Sequence, residues 1–456
     1  MSFIIITISF ALAISSSWAY SYFGLSSFEQ IVYHVKVPLE GTNTQFIFGW
    51  LKKCGLPSLI FGICLFWVPL FWAWIILGCC VMYGLHTIHL FDYIYNQFKS
   101  TKFYDEYFKE VHVTSPNKKM NLIHIYLESM ETTYALKEDG GNSNEELLPF
   151  LTSLAKQNIS FSQNKKIGGG RVLTGTGWTT GGIVASSSGL PLIFTLAHKF
   201  CKGKVPFMPG VTTLGDILEK DGYNQVFMIG SDATFGGRRS YFEQHGHFNI
   251  KDTVSLKAEG KLDQDYHEFW GYEDDKLFAF AKDELIELSK KNQPFNFTML
   301  TVDTHHPYGY QSKDCEKKFK VGLSNSIYHT DQNLKKFLGW LSQQDFYEDT
   351  VIVIQGDHTS MAAEYIHDNY DSGFDRRIWN TFIHSQSTPI HEKNRDFTTM
   401  DLFPTILSAL GYDVEENKAG LGTNLMSDKN TVTEQLGSDY VESNIKKKSK
   451  KYRGMM

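Results

Sequence analysis

The sequence predicts an α/β domain, a mostly parallel sheet with helices on both faces, fixed to a membrane by an apolar N-terminal region. Three observations predict it. β-rich runs alternate with helical spacings between residues 119 and 430, the long apolar runs are confined to residues 1–92, and four predicted strands each end in acidic or histidine residues.

Composition excludes several classes. Over 456 residues the charged fraction is 21% and the hydrophobic fraction 42%, which is ordinary for a globular chain and not for a disordered or collagen-like one. A mean hydropathy of −0.25 excludes a protein that is polytopic throughout. The formal charge of −6 argues against nucleic acid as a partner, since such binders usually carry a basic excess.

Residues 1–92 read as a membrane anchor of two or three transmembrane segments, about 3–23 and 56–85, with a loop between them. The first is long enough, at ~1.5 Å per residue, to cross ~30 Å of hydrocarbon. A cleaved signal peptide fits less well, because Lys and Arg are missing from its start and a second apolar block follows. No residue from 56 to 85 is charged, and Pro69 marks either a kink in one tilted helix or the turn of a hairpin. Lys52, Lys53, Lys99 and Lys102 are too evenly placed to orient the anchor. Four of the six cysteines lie in or beside this block, leaving Cys201 and Cys315, whose pairing stays open, for the soluble part.

Residues 93–118 read as a polar linker, and residues 119–430 as the catalytic domain. Strands are expected at 121–127, 225–229, 295–302 and 350–354, and helices at 147–157, 214–220, 274–291 and 326–344. The remaining residues, 431–456, read as a polar basic tail with six positive charges between Lys446 and Arg453. It is expected to be a solvated, disordered end, with adhesion to anionic headgroups as the sharper reading.

The strands run into Glu128, into Ser231-Asp232, into Asp303-Thr304-His305-His306 and into Asp357-His358. Ligands of open parallel sheets bind beyond the carboxyl ends of the strands. Glu128, Asp357 and His358 form a mixed oxygen and nitrogen set suited to one divalent cation, whereas any one alone reads as a strand-end group bonded to a helix N-terminus. The glycine- and hydroxyl-rich stretch 168–182 then turns apolar, as a loop entering a helix does. It lacks the Gly-Lys-Ser/Thr ending of a nucleotide cradle, and it offers Thr176, Thr179 and Thr180 as candidate nucleophiles.

Leu127-Glu128-Ser129, Gly175-Thr176-Gly177-Trp178-Thr179, Ser188-Gly189-Leu190-Pro191, Thr301 to Pro307 and Gly356-Asp357-His358 resemble, in order and spacing, the phosphoglycerol transferases of the alkaline phosphatase superfamily. The enzymes that decorate osmoregulated periplasmic glucans are the nearer likeness and lipoteichoic acid synthases the more distant. The resemblance spans roughly residues 25–425 and takes in Trp270-Gly271, Asp274-Asp275, Thr398 to Asp401 and Gly420 to Gly422. It implies an alkaline phosphatase-like fold with the metal held by Glu128, Asp357 and His358. It places the nucleophile, also a metal ligand, on Thr176, counting back from Gly189-Leu190-Pro191. His305 becomes the glycerol-phosphate contact and candidate proton carrier, and Arg238 the basic substrate contact, with Arg239 as its rival. The chain departs from the glucan enzymes at Gly177, where they carry Asp.

The implied reaction moves a glycerophosphoryl group from phosphatidylglycerol, through a threonine adduct, to a glycan or polyglycerol-phosphate hydroxyl. The implied cofactor is one divalent ion, Mn²⁺ before Mg²⁺ or Zn²⁺. The implied location is the inner (plasma) membrane with the catalytic domain periplasmic. A phosphoethanolamine transferase on the same scaffold and a catalytically inactive glycan-binding protein are the alternatives. A sulfatase activity would need a Cys or Ser followed by x-Pro-x-Arg, and no such run occurs.

Overall fold

The chain is described by a computed structural model over residues 1–22, 24, 27–37, 45–196, 198 and 205–456. Phe23, the expected end of the first span, and Cys201 lie outside the described residues.

Among the described residues three helices are long and apolar enough to cross a membrane: α1 (Ser2–Tyr22), α3 (Ile47–Cys64) and α4 (Leu70–Thr87). A short amphipathic helix, α2 (Phe28–Lys36), stands between the first two. The apolar block 56–85 thus resolves into the second half of α3 and most of α4. The break falls before Pro69, which caps α4 because its ring cannot continue a helix. The α1–α3 contact is close because Gly62 carries no side chain: a Cβ there would stand 1.9 Å from Thr7 Oγ1. Packing of small residues is how helices associate where lipid removes the hydrophobic drive.

The soluble part is built on a six-stranded sheet of β1 (Asn121–Leu127), β2 (Asn224–Ile229), β3 (Asn249–Lys251), β4 (Phe295–Leu300), β5 (Thr350–Gly356) and β6 (Asn380–Ile383), in the order β3-β2-β4-β1-β5-β6. The first five are parallel, with Ile123 opposite Phe297 and Ile352, and only β6 runs antiparallel, at the edge. β1 is buried on both faces. Ile123, Ile125 and Leu127 enter one core with α6 (Asp274–Ser289) and α7 (Gly322–Leu341). Leu122 and Tyr126 face the other side, against α8 (Leu402–Ala409) and the helix Thr179–Ser188. A sheet covered twice takes apolar residues at most positions, hence its nearly continuous runs, and its few buried polar residues pair with one another, as His124 does with Gln355 and Asn296 with Gln225. The parallel order brings the carboxyl ends of β1, β2, β4 and β5 to one rim.

Two sequence expectations are corrected. The 93–118 linker contains buried Phe103 and Tyr104, on the helix Phe103–Tyr107. The 431–456 tail is not a solvated end: it folds into the helices Val432–Leu436, Ser438–Ile445 and Lys450–Met455, and buries Val441, Ile445, Tyr452 and Met455. These apolar side chains pack, Tyr452 against Tyr104 with ring centroids 4.8 Å apart, while Lys446 pairs with Glu442 at 2.6 Å and Lys451 lies 4.9 Å over the Phe108 ring.

The Tyr452 hydroxyl donates to Pro191 O at 2.6 Å and accepts from Ile193 N at 2.8 Å, tying the tail to the glycine-rich segment. Tyr452→Phe leaves two buried backbone groups unpaired. It should lower unfolding free energy by about 1–3 kcal/mol, read from the shift of a denaturant transition of the full chain.

Candidate active site

At the rim, β1 delivers Glu128 and β5 delivers Asp357 and His358, whose ligand atoms all lie within 4.8 Å of one another. His358 Nε2 stands 3.5 Å from Glu128 Oε1 and 3.3 Å from Asp357 Oδ2. His358 Nδ1 donates to Thr359 O at 2.9 Å, which fixes the tautomer and leaves Nε2 for a ligand. Ser129, in the left-handed region at φ 54°, is held there by two bonds. Its N–H donates to Asp357 Oδ1 and its hydroxyl to Glu128 Oε1, both at 2.8 Å. Asp357 Oδ1 also accepts from His358 N at 2.8 Å, whereas the buried Oδ2 accepts no hydrogen bond among the described residues.

Electrostatics point the same way. Burial, and then Glu128, push the Asp357 carboxyl well above the usual range. Burial opposes ionisation of Glu128 too, but His358, His305 and the Ser129 hydroxyl outweigh it and lower its pKa. Burial disfavours a charged His358, yet Asp357 and Glu128 overcome it and raise its pKa. Two buried carboxylates with an orphaned oxygen and a correctly presented imidazole nitrogen call for a cation. The oxygen and nitrogen donors fit a divalent metal.

The hydroxyl that meets this set belongs to Thr179. Its Oγ1 lies 3.4 Å from Glu128 Oε2 and 3.4 Å from His358 Nε2. Thr179 opens α5 (Thr179–Ser188), so it sits among the free N–H groups and the positive end of a helix, where phosphoryl oxygens are welcome. The expectation at Thr176 is corrected. Thr176 is fully buried, and its Oγ1 donates to Leu173 O at 3.0 Å and accepts from Leu173 N at 2.9 Å. Both of its hydrogen-bonding functions close a local turn. Thr180, the third candidate, donates to Gly236 O at 2.9 Å. Gly182 brings α5 down onto the metal loop, since a Cβ there would lie 1.9 Å from Asp357 O.

The two arginines separate cleanly. Arg239 pairs with Asp252, reaches Glu243 Oε1 at 3.5 Å and donates to Thr234 Oγ1 at 3.1 Å, so it braces its own loop. Arg238 is buried and bonded weakly, to Ser231 Oγ at 3.4 Å and Asp232 O at 3.3 Å, with Nε unpartnered. Burial lowers its pKa, while Glu128, Tyr33, Asp232 and Asp357 act in the opposite direction. His305 donates from Nδ1 to His306 O at 2.9 Å, and burial keeps its ring toward the neutral form. Trp270 was missed as a site residue: its ring lies 4.8 Å from that of His305 and 5.3 Å from that of Phe235, over which Arg238 stacks at 5.4 Å. Its place beside Gly271 in the resemblance was the available signal.

A family model described as Sulfatase matches residues 120–412. Phosphoglycerol transferase I of Salmonella choleraesuis (strain SC-B67) is 33% identical over 336 residues, covering 70% of this chain and 41% of that protein. The chain thus spans about two fifths of the length of the curated relatives it matches. Lipoteichoic acid synthase LtaP from Listeria monocytogenes superposes with a TM-score of 0.51 at 19% identity, over 69% of this chain and 79% of that one. The integral membrane lipooligosaccharide phosphoethanolamine transferase A (EptA) from Neisseria meningitidis superposes with a TM-score of 0.50 at 13% identity, over 90% of this chain and 83% of that one. These likenesses show the fold, which is alkaline phosphatase-like as the sequence predicts.

Behind His305, Asp303 and Asp274 share a buried niche. Asp274 accepts from Val302 N at 2.8 Å and Asp303 N at 3.1 Å, while Asp303 Oδ1 has no partner. Burial, and then Asp274, push the Asp303 carboxyl well above the usual range, so it holds its proton to higher pH in the folded state than in the unfolded one. The folded chain therefore binds more protons here than the unfolded one, whose Asp titrates near ~3.9. Stability must fall as pH rises from about 4 through the folded pKa. Asp303→Asn removes that titration, and melting curves of the full chain from pH 5 to 8 should decline less steeply than those of the parent.

Proposed function

The chain belongs to the sulfatase family, and from that premise we propose that it is a membrane-anchored, metal-dependent phosphoglycerol transferase. It moves a glycerophosphoryl group from phosphatidylglycerol to a glycan or polyglycerol-phosphate hydroxyl. The observation that carries this reading is the Thr179 hydroxyl set against Glu128 and His358 at a helix N-terminus. The name of the Salmonella relative supports the donor class, and the absent Cys/Ser-x-Pro-x-Arg run counts against sulfate ester hydrolysis.

Glu128, Asp357 and His358 hold the divalent ion, with Mn²⁺ preferred to Mg²⁺ or Zn²⁺. Such an ion lowers the pKa of a nearby hydroxyl and neutralises phosphoryl oxygens. Thr179 Oγ forms the new bond to phosphorus as the bond to diacylglycerol breaks, and the proton that Thr179 gives up ends on the leaving glyceride oxygen. The free N–H groups of α5 and the Arg238 guanidinium orient the phosphoryl oxygens, the positioning that dominates phosphoryl transfer. In the second step His305 Nε2, left with its lone pair by the Nδ1 bond, takes the proton of the acceptor hydroxyl as that oxygen bonds to phosphorus; the bond to Thr179 Oγ breaks and the proton passes to it, which restores the threonine hydroxyl and neutral His305. The anchor lies in the inner membrane with this rim on the periplasmic side.

With the full chain in liposomes of headgroup-labelled phosphatidylglycerol, Thr179→Ala should lower transfer by at least about a thousandfold, the scale on which loss of a nucleophile acts. Thr176→Val should retain transfer while lowering stability by about 1–3 kcal/mol, from the unpaired Leu173 groups. The opposite pattern overturns the assignment, and turnover of phosphatidylethanolamine instead would change the donor.

Removing the metal with a chelator should abolish transfer, and Mn²⁺ should restore it. Metal content by elemental analysis should fall in Asp357→Asn and stay near one ion per chain in Thr176→Val.

A further inference from the structure

The geometry points to a second binding site: we propose that the cavity between the first apolar helix and the two loops beside the metal set seats the diacylglycerol end of a phospholipid, with Lys53 as its polar contact. This rests on the reading that the donor is a phospholipid. The cavity encloses about 1020 Å³, at the upper end of the ~300–1,000 Å³ range of small-molecule sites.

Its walls join two environments. One is the last turns of α1, with Ile14 and Trp18, together with Lys53 of α3. The other comes from the soluble part: Pro307 and Tyr308, directly after His305-His306, and Met361, three residues beyond His358. A molecule lying in this cavity touches a helix apolar enough to span a bilayer and, a few residues along the chain, the loops that carry the chemistry. That continuity selects an occupant with an apolar end in lipid and a polar end at the sheet rim, which is a glycerophospholipid.

Lys53 supplies the charge complementarity. It lies, with its neighbour Lys52, within α3, a helix that apart from these two lysines is apolar enough to span, on a π-helical turn, Leu51–Gly55, and of the two only Lys53 lines the cavity. Charged residues inside such helices mark binding or transport sites, and π-turns inside α-helices concentrate at functional places. The turn is tied to α1 by Trp50 Nε1, which donates to Ser15 Oγ at 2.7 Å. The Lys53 methylenes can lie along the apolar wall while the ammonium meets the ester and phosphate oxygens of an anionic lipid.

The test is photolabelling of the full chain in nanodiscs with a phosphatidylglycerol that carries a diazirine near the carboxyl end of one acyl chain. Adducts mapped by mass spectrometry should fall on residues 14–22, 307–311 or 361–369, and Lys53→Gln should show about tenfold less of them, the scale of one lost charged contact. Adducts confined to the outward-facing Phe66, Trp67 and Phe71, or equal labelling in the variant, would overturn the cavity assignment. Labelling does not need turnover. A chain that labels in the cavity yet transfers nothing overturns the proposed function alone, and one that transfers without labelling there overturns the cavity alone.

Discussion

The site exists because α5 meets the loop after β5 backbone to backbone. Gly182 makes this possible: any side chain would collide with Asp357 O, and the helix would have to lift off the sheet rim. Lifting it would carry away Thr179, whose hydroxyl stands one helical turn earlier, and with it the positive end of the helix. Displacements of about 1 Å are enough to cost ~10²-fold in rate when a reacting group is being positioned. The same contact sets the electrostatics. The carboxyl groups of Glu128 and Asp357 are packed against a helix N-terminus that tolerates negative charge, with the Ser129 N–H and hydroxyl holding both in register.

The segment carrying Thr179 is held from both ends of the chain. On one side, Glu442 accepts from Thr174 N at 2.9 Å and from Thr174 Oγ1 at 2.6 Å, and Tyr452 clasps Pro191 and Ile193. On the other, Tyr33 of α2 donates to Gly236 O and packs its ring 5.3 Å from that of Trp178, the residue before Thr179. Gly236 O also receives Thr180, so the arginine loop and the start of α5 are locked to each other. Residues 438–456 and the helix after the first span therefore belong to the catalytic scaffold, although the family match stops at residue 412.

Much of this was legible. The strands that carry Glu128 and Asp357-His358 are buried on both faces, so they appear as mostly apolar runs, broken only by the buried, mutually bonded His124 and Gln355, and the acidic residues after them mark the rim. The choice among Thr176, Thr179 and Thr180 was not legible. All three stand within five residues, and only the folded turn shows that Thr176 spends its hydroxyl on Leu173. Arg238 and Arg239 are likewise adjacent, and what separates them is Asp252 and Glu243, which reach Arg239 only in the fold. β3 and β6 escaped notice because three- and four-residue strands give too few positions for a pattern. In the tail, six positive charges obscured the spacing of Val441 and Ile445, which buries one face of a helix.

A transferase that draws on a lipid must hold phosphorus at a polar, charged rim while the acyl chains stay in hydrocarbon, and these demands pull in opposite directions along one molecule. The fold meets them by polarity of placement. Arg238, His305 and Trp270 gather on the side of the metal set formed by the loops after β2 and β4, where a glycerol headgroup and its phosphate can be held by charge and ring contacts. Pro307 and Met361 stand just past His305 and His358 in their loops and already line the cavity shared with α1. In the proposed reaction this fixes the order of events. Diacylglycerol, once released from phosphorus, is uncharged and returns to the bilayer along the apolar wall, while the charged adduct on Thr179 is retained by the metal set and Arg238. The acceptor then meets a site already cleared on one side, which is the arrangement a two-step transfer requires.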